Sequence, residues 1–169
     1  MRHPCHGFLA ALAIALVVSS ARAEEKIVLA SANFDFVDTS GEPRDQSDEH
    51  KDRLAKFSDY LRRKLAENSK FRLAGLPCQA SRCTATDPGF KALSKMAKQE
   101  GADYLVIGII RKTSSLIGWV EYSVLNVGDN RSVCGELITY RSDTDESWQR
   151  AARFSAGQIA SRCTLKPHR

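Results

Sequence analysis

The sequence contains few of the residue patterns that mark a known chemistry. Histidine is scarce, with 4 in the whole chain, and neither His50 nor His168 has a second ligand at the spacing of a zinc site. There is no nucleophile elbow, phosphate-binding loop or metal motif. No internal repeat or low-complexity linker divides the chain. We therefore expect no cofactor and no metal.

The sequence also lacks an apolar run long enough to span a membrane, which takes about 20 residues. The run from Phe8 to Val18 follows Arg2 and His3 and precedes Ala21-Arg22-Ala23, an arrangement typical of a secretory signal peptide. We expect residues 1–23 to be the signal peptide and residues 24–169 to be a single secreted domain in the periplasm. A retained anchor is the alternative; after cleavage no stable membrane span would remain.

A strong excess of charge of one sign is missing as well. The 25 Lys and Arg against 20 Asp and Glu give a net charge of +5, and loss of Arg2 and Arg22 with the signal peptide lowers it by two. The basic cluster at 60–67 alternates with apolar residues at helical spacing, which is typical of a solvated helix face. The sequence therefore predicts that nucleic acid is not a partner.

Four cysteines would remain in the mature chain and enter an oxidising compartment: Cys78, Cys83, Cys134 and Cys163. They allow three pairings, and the sequence alone does not choose among them. We favour Cys78 with Cys83, in a polar loop, and Cys134 with Cys163, which would tie a late strand to the C-terminal helix. The alternative is a redox-active pair at 78 and 83, which is disfavoured because a low thiol pKa needs close spacing at a helix start.

Hydrophobic periodicity predicts the order strand, helix, strand, helix, three strands and helix. The strand candidates are residues 26–38, 70–75, 103–110, 117–127 and 133–141. Helices are predicted over 50–68, from Pro88 to Gly101 with Asp87 as the N-cap, and after Asp143. This order predicts one α/β (α+β) domain, with a mixed β-sheet of about five strands and three helices packed on it.

The segment "SDTDESWQRAARF" (142–154) looks more like a site than any other stretch. Asp143, Asp145 and Glu146 would be a catalytic cluster only with a nucleophile or metal nearby, and the sequence supplies neither. As a helix start, Asp143 or Thr144 would be the N-cap, and Glu146 would lie in the first turn or complete a capping box. We favour this structural interpretation. The helix face on the sheet would then consist of Trp148, Ala152, Ser155 and Ile159.

Several segments together resemble an uncharacterised family of secreted bacterial proteins, described as a domain of unknown function. The resemblance lies in "GADYLVIGIIRKTSSLI" (101–117), the hairpin after it and the pentapeptide Thr144–Trp148, which is its most specific part, and it covers about Lys26 to Ile159. The chain departs from the family at Ile109 and Ile110, where an aromatic is common, and lacks the usual Gly-Asn before the pentapeptide. The resemblance implies a periplasmic protein with a local cysteine pair before its second helix and no known activity.

The first function that the sequence favours is a non-catalytic binding or accessory module of the cell envelope. Its partner would be an unknown periplasmic protein or small ligand. The contact surface would combine the 39–49 loop with the segment 112–119, including Lys112, Ser115 and Trp119, because tryptophan is enriched at interface anchors. Packing of Trp119 on the sheet is the competing interpretation.

The second function class is a periplasmic enzyme. It would act as a thiol oxidoreductase through Cys78 and Cys83, or as a hydrolase through Asp143, Asp145 and Glu146. No motif supports either activity, so catalytic residues are not assigned.

Overall fold

The computed structural model describes residues 25–78 and 82–168. The signal-peptide prediction for residues 1–23 lies outside the described residues. The described chain has six strands and three helices. The strands are β1 (Ile27–Ser31), β2 (Asp35–Asp38), β3 (Phe71–Ala74), β4 (Tyr104–Lys112), β5 (Ile117–Asn126) and β6 (Ser132–Arg141). The helices are α1 (Ser47–Ala66), α2 (Phe90–Gln99) and α3 (Asp145–Arg162).

The strands form one mixed sheet in the order β3-β1-β4-β5-β6, with β2 also paired to β4. The pairs β1 with β3, β1 with β4 and β2 with β4 are parallel, whereas β4, β5 and β6 form an antiparallel meander. The helices α1 and α2 supply the crossovers that parallel neighbours require. The predicted fold class, a single α/β (α+β) domain with three helices on a mixed sheet, is confirmed.

The sixth strand arises because the predicted strand 26–38 is interrupted. β1 pairs with the start of β4, where Leu29 lies opposite Tyr104, and β2 pairs with its end, where Asp38 lies opposite Lys112. Both therefore run along the same side of β4. Between them the chain buries Phe34 against Phe57, with ring centroids 5.0 Å apart. Burial of this ring takes residues 32–34 out of the regular pairing.

The two faces of the sheet carry different helices. Side chains alternate across each strand, so one face collects Leu29, Val106 and Ile110 beneath α1 and α3, and the other collects Val28 and Leu105 beneath α2. The buried face of α3 contains Trp148, Ala152, Ser155 and Ile159, as the helical spacing predicts. Trp148 is 2% exposed.

The start of α2 differs from the prediction. Asp87 is not its N-cap and Pro88 is not its first residue, because the helix begins at Phe90 with Gly89 at the cap position. The carbonyl of Asp87 accepts a hydrogen bond from Thr84 N at 2.8 Å, which closes a turn, and Gly89 has φ 99°. The chain thus finishes a turn before the helix starts. Gly101 follows the helix with φ 73°, consistent with the predicted stop.

Both favoured cysteine pairs are joined in the structure. Cys78 bonds Cys83, and Cys134 of β6 bonds Cys163 at the end of α3, with Cα atoms 5.5 Å apart in each pair. The second bond ties an outer strand to the last helix, 29 residues apart in sequence. Two disulfides are compatible with an oxidising compartment.

Candidate functional site

Charged side chains and one histidine, from five parts of the chain, converge where β2 and β4 end. Asp38 is the last residue of β2 and Lys112 the last of β4, and the two lie opposite each other in the sheet. The other members lie in the 39–49 loop, in the first two turns of α1 and directly before α3. The last three residues of the predicted 39–49 loop are helical, because α1 begins at Ser47 and not at residue 50. We call this group the ion cluster; it consists of Asp38, Glu42, His50, Arg53, Lys112 and Asp143.

Lys112 is the centre of the ion cluster and its side chain is 1% exposed. Its Nζ donates to Glu42 Oε2 at 2.7 Å and to Gln46 Oε1 at 2.6 Å. Asp38 Oδ2 and Asp143 Oδ2 lie 3.4 Å and 3.5 Å from the same nitrogen. Burial alone would lower the pKa of Lys112, but the hydrogen bond to Glu42 and the nearby carboxylates raise it above its ordinary value. The ammonium therefore stays charged inside the protein.

Asp143 lies between cations and hydrogen-bond donors. Its Oδ2 is 2.8 Å from His50 Nε2, and its Oδ1 accepts from Trp148 Nε1 at 2.9 Å. Arg53 Nη1 is 3.2 Å from Oδ2 but makes no hydrogen bond among the described residues, so this contact is electrostatic. Burial alone would raise the pKa of Asp143, yet the bonds from His50 and Trp148 and the positive charges lower it. Asp143 is an ionised acceptor.

His50 is wedged between two aromatic rings and is 3% exposed. The ring of Phe36 lies 4.7 Å away and that of Trp148 is stacked at 6.1 Å, measured between centroids. Its Nε2 is directed at Asp143 and its Nδ1 lies 3.9 Å from Asp38 Oδ2. The histidine therefore lies between the two aspartates and is hydrogen-bonded to Asp143.

The three acids of the 142–154 segment contact different sets of side chains. Thr144 is the N-cap of α3, and its side chain accepts from Ser147 N at 3.3 Å. Asp145 bonds Arg53 and Lys56 at 2.8 Å and 2.9 Å, while the exposed Glu146 pairs with Arg150 one turn later. Capping therefore accounts for Thr144, whereas Asp143 is held by residues far away in sequence. Arg53 contacts both Asp143 and Asp145, whereas Glu146 shares no ion-pair partner with either of them among the described residues.

The Asp143–His50 contact resembles the contact in which a carboxylate orients a histidine that acts as a general base. Such a pair becomes nucleophilic machinery when a hydroxyl or thiol hydrogen-bonds the second ring nitrogen. In residues 25–78 and 82–168 no hydroxyl or thiol hydrogen-bonds a ring nitrogen of His50, whose Nδ1 faces Asp38 instead. The same residues contain no group of three or more side chains placed to hold a metal ion. This arrangement fixes charges and loops in place.

A pocket of about 500 Å³ opens beside the ion cluster. It is formed by the 39–49 loop and the first two turns of α1. Its floor contains Phe36, His50 and Leu54, and its rim carries charges of both signs, including Arg44 and Lys51. Backbone bonds fix the loop at its base, where Thr39 N donates to the carbonyl of Lys112 at 2.8 Å. We call this the loop pocket.

A second cavity, of about 790 Å³, lies between α1 and α3 and is lined by Tyr60 and Trp148. Three of its four cations are already bound to its own carboxylates: Arg53 and Lys56 to Asp145, and Arg62 to Asp59. Its charge is therefore largely neutralised from within. The loop pocket is the better candidate, because it lies beside the ion cluster and the buried Lys112 holds two of its lining residues, Glu42 and Gln46.

The residues predicted to form a contact surface lie in different places. Lys112 points inward. Ser115 lies in the turn before β5, where its carbonyl accepts from Asp143 N at 3.2 Å. Trp119 is 36% exposed and lies opposite Arg111, whereas Lys112 lies opposite Gly118. Because side chains alternate across a strand, Trp119 is on the other face of the sheet from the loop pocket.

Sequence reasoning missed four members of the ion cluster, namely Asp38, Glu42, His50 and Arg53. Two signals were available. His50 precedes Leu54, Phe57, Leu61 and Leu65 on the apolar face of α1, so it occupies a core position. Lys112 continues the alternation of Tyr104, Val106 and Ile110 on the buried face of β4. A charged or titratable residue on a core face needs a partner, but neither pattern identifies that partner.

The family comparison gives a match over residues 28–157 to a family described as "Protein of unknown function (DUF2380)". The chain belongs to this family. The resemblance stated from the sequence, to an uncharacterised family over about Lys26 to Ile159, is confirmed. The matched segment contains the whole ion cluster and the loop pocket. The sequence matches none of the curated proteins with which it was compared.

Solved structures with the same fold have little sequence similarity to this chain. The hypothetical protein CT253 from Chlamydia trachomatis is 14% identical with a TM-score of 0.57, over 84% of this chain and 100% of that one. PelC, a dodecamer from Paraburkholderia phytofirmans, is 9% identical with a TM-score of 0.51, over 83% and 89%. TolB from Acinetobacter baumannii is 16% identical with a TM-score of 0.51, over 86% of this chain and 30% of TolB. These similarities show a shared fold. None of the helices in residues 25–78 and 82–168 has both the length and the apolar content that a membrane span requires.

Proposed function

We propose that this protein is a non-catalytic binding or accessory module of the cell envelope, located in the periplasm, and that its loop pocket receives the partner. The observation that supports this most directly is the attachment of the 39–49 loop to the core by a buried charge. Lys112 donates to Glu42 at 2.7 Å and to Gln46 at 2.6 Å. A long charged loop is thereby held around a cavity.

Holding the loop has an energetic consequence for binding. Ordering a flexible loop on association costs roughly 0.5 to 1.5 kcal/mol for each side chain that is immobilised. In this protein the loop is ordered by contacts within the chain. The entropic cost of ordering it is therefore met when the chain folds and not when the partner binds. Bonds from Ser40 to Asp38 and from Ser47 to Asp45 add turns at both ends of the loop. The loop pocket is therefore preformed, as ligand sites usually are.

The lining of the loop pocket indicates the kind of ligand. Its floor is aromatic and apolar, through Phe36 and Leu54, while its rim offers carboxylates and cations together. A few polar groups around an apolar base are typical of sites that orient a small ligand or the end of a peptide. The partner we propose is accordingly a periplasmic protein segment or a small ligand with both apolar and charged groups.

The location is supported by the N-terminal sequence and by the cysteines. Residues 1–23 have the pattern of a cleaved signal peptide, and the four cysteines of the mature chain form two disulfides. We expect the mature N-terminus in periplasmic extract to be Glu24. Terminal analysis that finds Met1 retained in the purified protein would contradict this location.

Site-specific crosslinking in cells tests the loop pocket. A photoreactive residue at Lys51, on the rim, should give a discrete crosslinked species, whereas the same residue at Lys95, exposed on α2 across the sheet, should not. Lys112→Met in the Lys51 background should reduce the adduct, because the loop is released, while resistance to trypsin in the same extract should show that the domain is still folded. Equal crosslinking from both positions would show that the loop pocket is not the contact. For a small ligand, native mass spectrometry of protein purified from periplasm replaces the crosslink, with the same Lys112→Met comparison.

A further inference from the structure

The outer face of β4, β5 and β6 is not covered by any described helix. α2 packs against β1 and the first half of β4, where Leu93 and Ala97 meet Val28 and Leu105. Beyond that contact, large apolar side chains are exposed on this face. They are Ile117 (44% exposed), Trp119 (36%) and Leu137 (54%). We call the surface around Trp119 the open sheet face.

The open sheet face carries charges of both signs that have no partner. Arg111, Glu121 and Arg141 make no ion pair and no side-chain hydrogen bond within residues 25–78 and 82–168. Their positions follow from the register. Arg111 lies beside Trp119, and Glu121 lies one pleat further along β5, between Ile109 and Leu137. A cation and a carboxylate thus lie diagonally next to each other on a largely apolar surface.

We propose that a second copy of this chain packs on the open sheet face, about a two-fold axis that crosses β5 between Trp119 and Glu121. Such an axis lies in the plane of the interface and runs perpendicular to the strands. Each strand therefore faces the same strand of the other copy, which runs in the opposite direction. Residues at the level of Trp119 then face residues at the level of Glu121 in the other copy. Glu121 of each copy meets Trp119 of the other, flanked by Arg111 on β4 and Thr139 on β6.

This arrangement gives Glu121 and Arg111 of each copy an opposite charge from the other copy. Two equivalent contacts between Glu121 and Arg111 form, one on each side of the axis, as an isologous interface requires. Packed sheets lie about 10 Å apart with interdigitating side chains, a spacing that Trp119 can fill. Aromatic residues and arginine at the centre of a patch are typical of protein interfaces. A partner of a single charge sign would leave either the arginine or the glutamate unpaired.

The proposed dimer goes beyond the binding function and does not rest on it. Lys112 and the loop pocket belong to the face of β4 under α1 and α3, while Arg111 and Trp119 belong to the opposite face. The dimer and the loop-pocket contact can therefore be tested separately in the same protein. A variant that loses dimerisation should keep the loop-pocket crosslink at Lys51, and Lys112→Met should keep the dimer.

Sedimentation equilibrium of the oxidised mature chain measures the association directly. We expect a concentration-dependent dimer. Glu121→Arg alone and Arg111→Glu alone should each raise the dissociation constant about tenfold or more, because each creates two like-charge contacts. Trp119→Ala should weaken the dimer as well. The matched control is Glu100→Arg, a reversal at an exposed residue that follows α2 and has no ion pair among the described residues.

A mixture of the two single variants gives the sharper result. In the mixed pair, Arg at 121 faces Glu at 111 on one side of the axis, and Glu121 faces Arg111 on the other. The Glu121→Arg and Arg111→Glu proteins, each of which associates weakly alone, should therefore form a tighter heterodimer, and the double variant should regain a homodimer. Urea midpoints that equal the wild-type value, measured at a concentration where the wild type is monomeric, exclude misfolding as the cause. A wild-type chain that is monomeric at all concentrations, or a dimer that survives Glu121→Arg, or variants that fail to associate when mixed, would overturn the proposal.

Discussion

The Nε2 atom of His50 lies 2.8 Å from Oδ2 of Asp143, a hydrogen bond between residues 93 positions apart. It joins the first turn of α1 to the residue that precedes the cap of α3. The contacts of Trp148 and Lys112 with the same carboxylate extend this link to the core of the sheet. The starts of both helices and the 39–49 loop are therefore parts of one electrostatic unit, and changes to any member should affect the others.

Removing the buried ammonium should be severely destabilising. Lys112→Met keeps the length of the aliphatic stem but leaves Asp38, Glu42 and Asp143 without their shared cation. We expect a loss of about 3 to 5 kcal/mol in the free energy of unfolding, as for other buried pairs deprived of one partner. Urea unfolding at neutral pH measures it.

The matched control for this experiment is Lys51→Met. Lys51 is exposed on α1 and has no ion pair among the described residues, so its replacement should change stability by no more than about 0.5 kcal/mol. Combining Lys112→Met with Asp143→Asn should cost less than the sum of the two, because the second change removes a charge that the first left unpaired. Equal stabilities for Lys112→Met and Lys51→Met would show that the ion cluster contributes nothing.

Asp143 should make the free energy of unfolding depend on pH in the acid range. The pKa of its carboxyl is below its ordinary value in the folded protein, so near pH 4 and below the unfolded chain binds more protons than the folded one. Its contribution is present above the ordinary pKa of about 3.9 and is lost as the pH falls through the folded value. Asp143→Asn should be less stable at neutral pH, but should lose less of its stability between about pH 5 and pH 2.

Thr144→Ala is the control for the acid experiment. It removes the N-cap of α3 without removing a carboxyl, so it should lower stability by about 1 kcal/mol at every pH. The test is to measure the free energy of unfolding of the wild type, Asp143→Asn and Thr144→Ala between about pH 5 and pH 2. If Asp143→Asn follows the wild-type pH dependence in parallel, the assigned pKa shift of Asp143 is wrong.

Variants along the start of α3 should rank by burial. Trp148→Ala should cost about 3 to 5 kcal/mol, because it empties a fully buried site and frees one acceptor atom of Asp143. Trp148→Phe should cost less, since it keeps most of the packing and loses the bond to Asp143. Glu146→Gln should be nearly silent, because Glu146 is exposed and makes one surface ion pair. A Glu146→Gln protein that is stable yet fails to complement a deletion strain would return these carboxylates to the functional residues.

The bond between Cys134 and Cys163 should be the more stabilising disulfide. It closes a separation of 29 residues, whereas Cys78 and Cys83 close a separation of 5. In the chain-entropy model the longer loop is worth about 3.5 kcal/mol and the shorter about 2 kcal/mol. Peptide mapping of oxidised protein should find both pairs, and Cys134→Ser with Cys163→Ser should lower the urea midpoint more than the double serine variant at 78 and 83.

Local patterns determine most of the fold, which is why the elements and the class could be predicted. The faces of α1 and α3 follow directly from apolar spacing, and the continuous apolar run of β4 marks a central strand. The start of α2 could not be read in this way, because Asp87 has the residue type of an N-cap but its backbone already closes a turn with Thr84. At this position the preference of aspartate for an N-cap predicts a helix start, whereas the backbone forms a turn.

The ion cluster was beyond prediction because it depends on long-range register. The sequence shows carboxylates near Asp143, and capping explains such acids wherever they precede a helix. Only the pairing of β2 with the end of β4 brings Asp38 to Lys112, and only the packing of α1 beside α3 brings His50 to Asp143. Contacts of this kind leave no local pattern beyond a charged residue on an apolar face.

Tyr140 and Gly118 lie opposite each other in the β5–β6 hairpin, and a Cβ at position 118 would collide with the ring of Tyr140. That ring also packs edge-on against Trp148, with centroids 6.2 Å apart. The space that a side chain at Gly118 would take is therefore filled by the ring of Tyr140 on the neighbouring strand. In the evolution of this family the two positions should have changed together, so relatives with a bulkier residue at 118 should have a smaller one at 140.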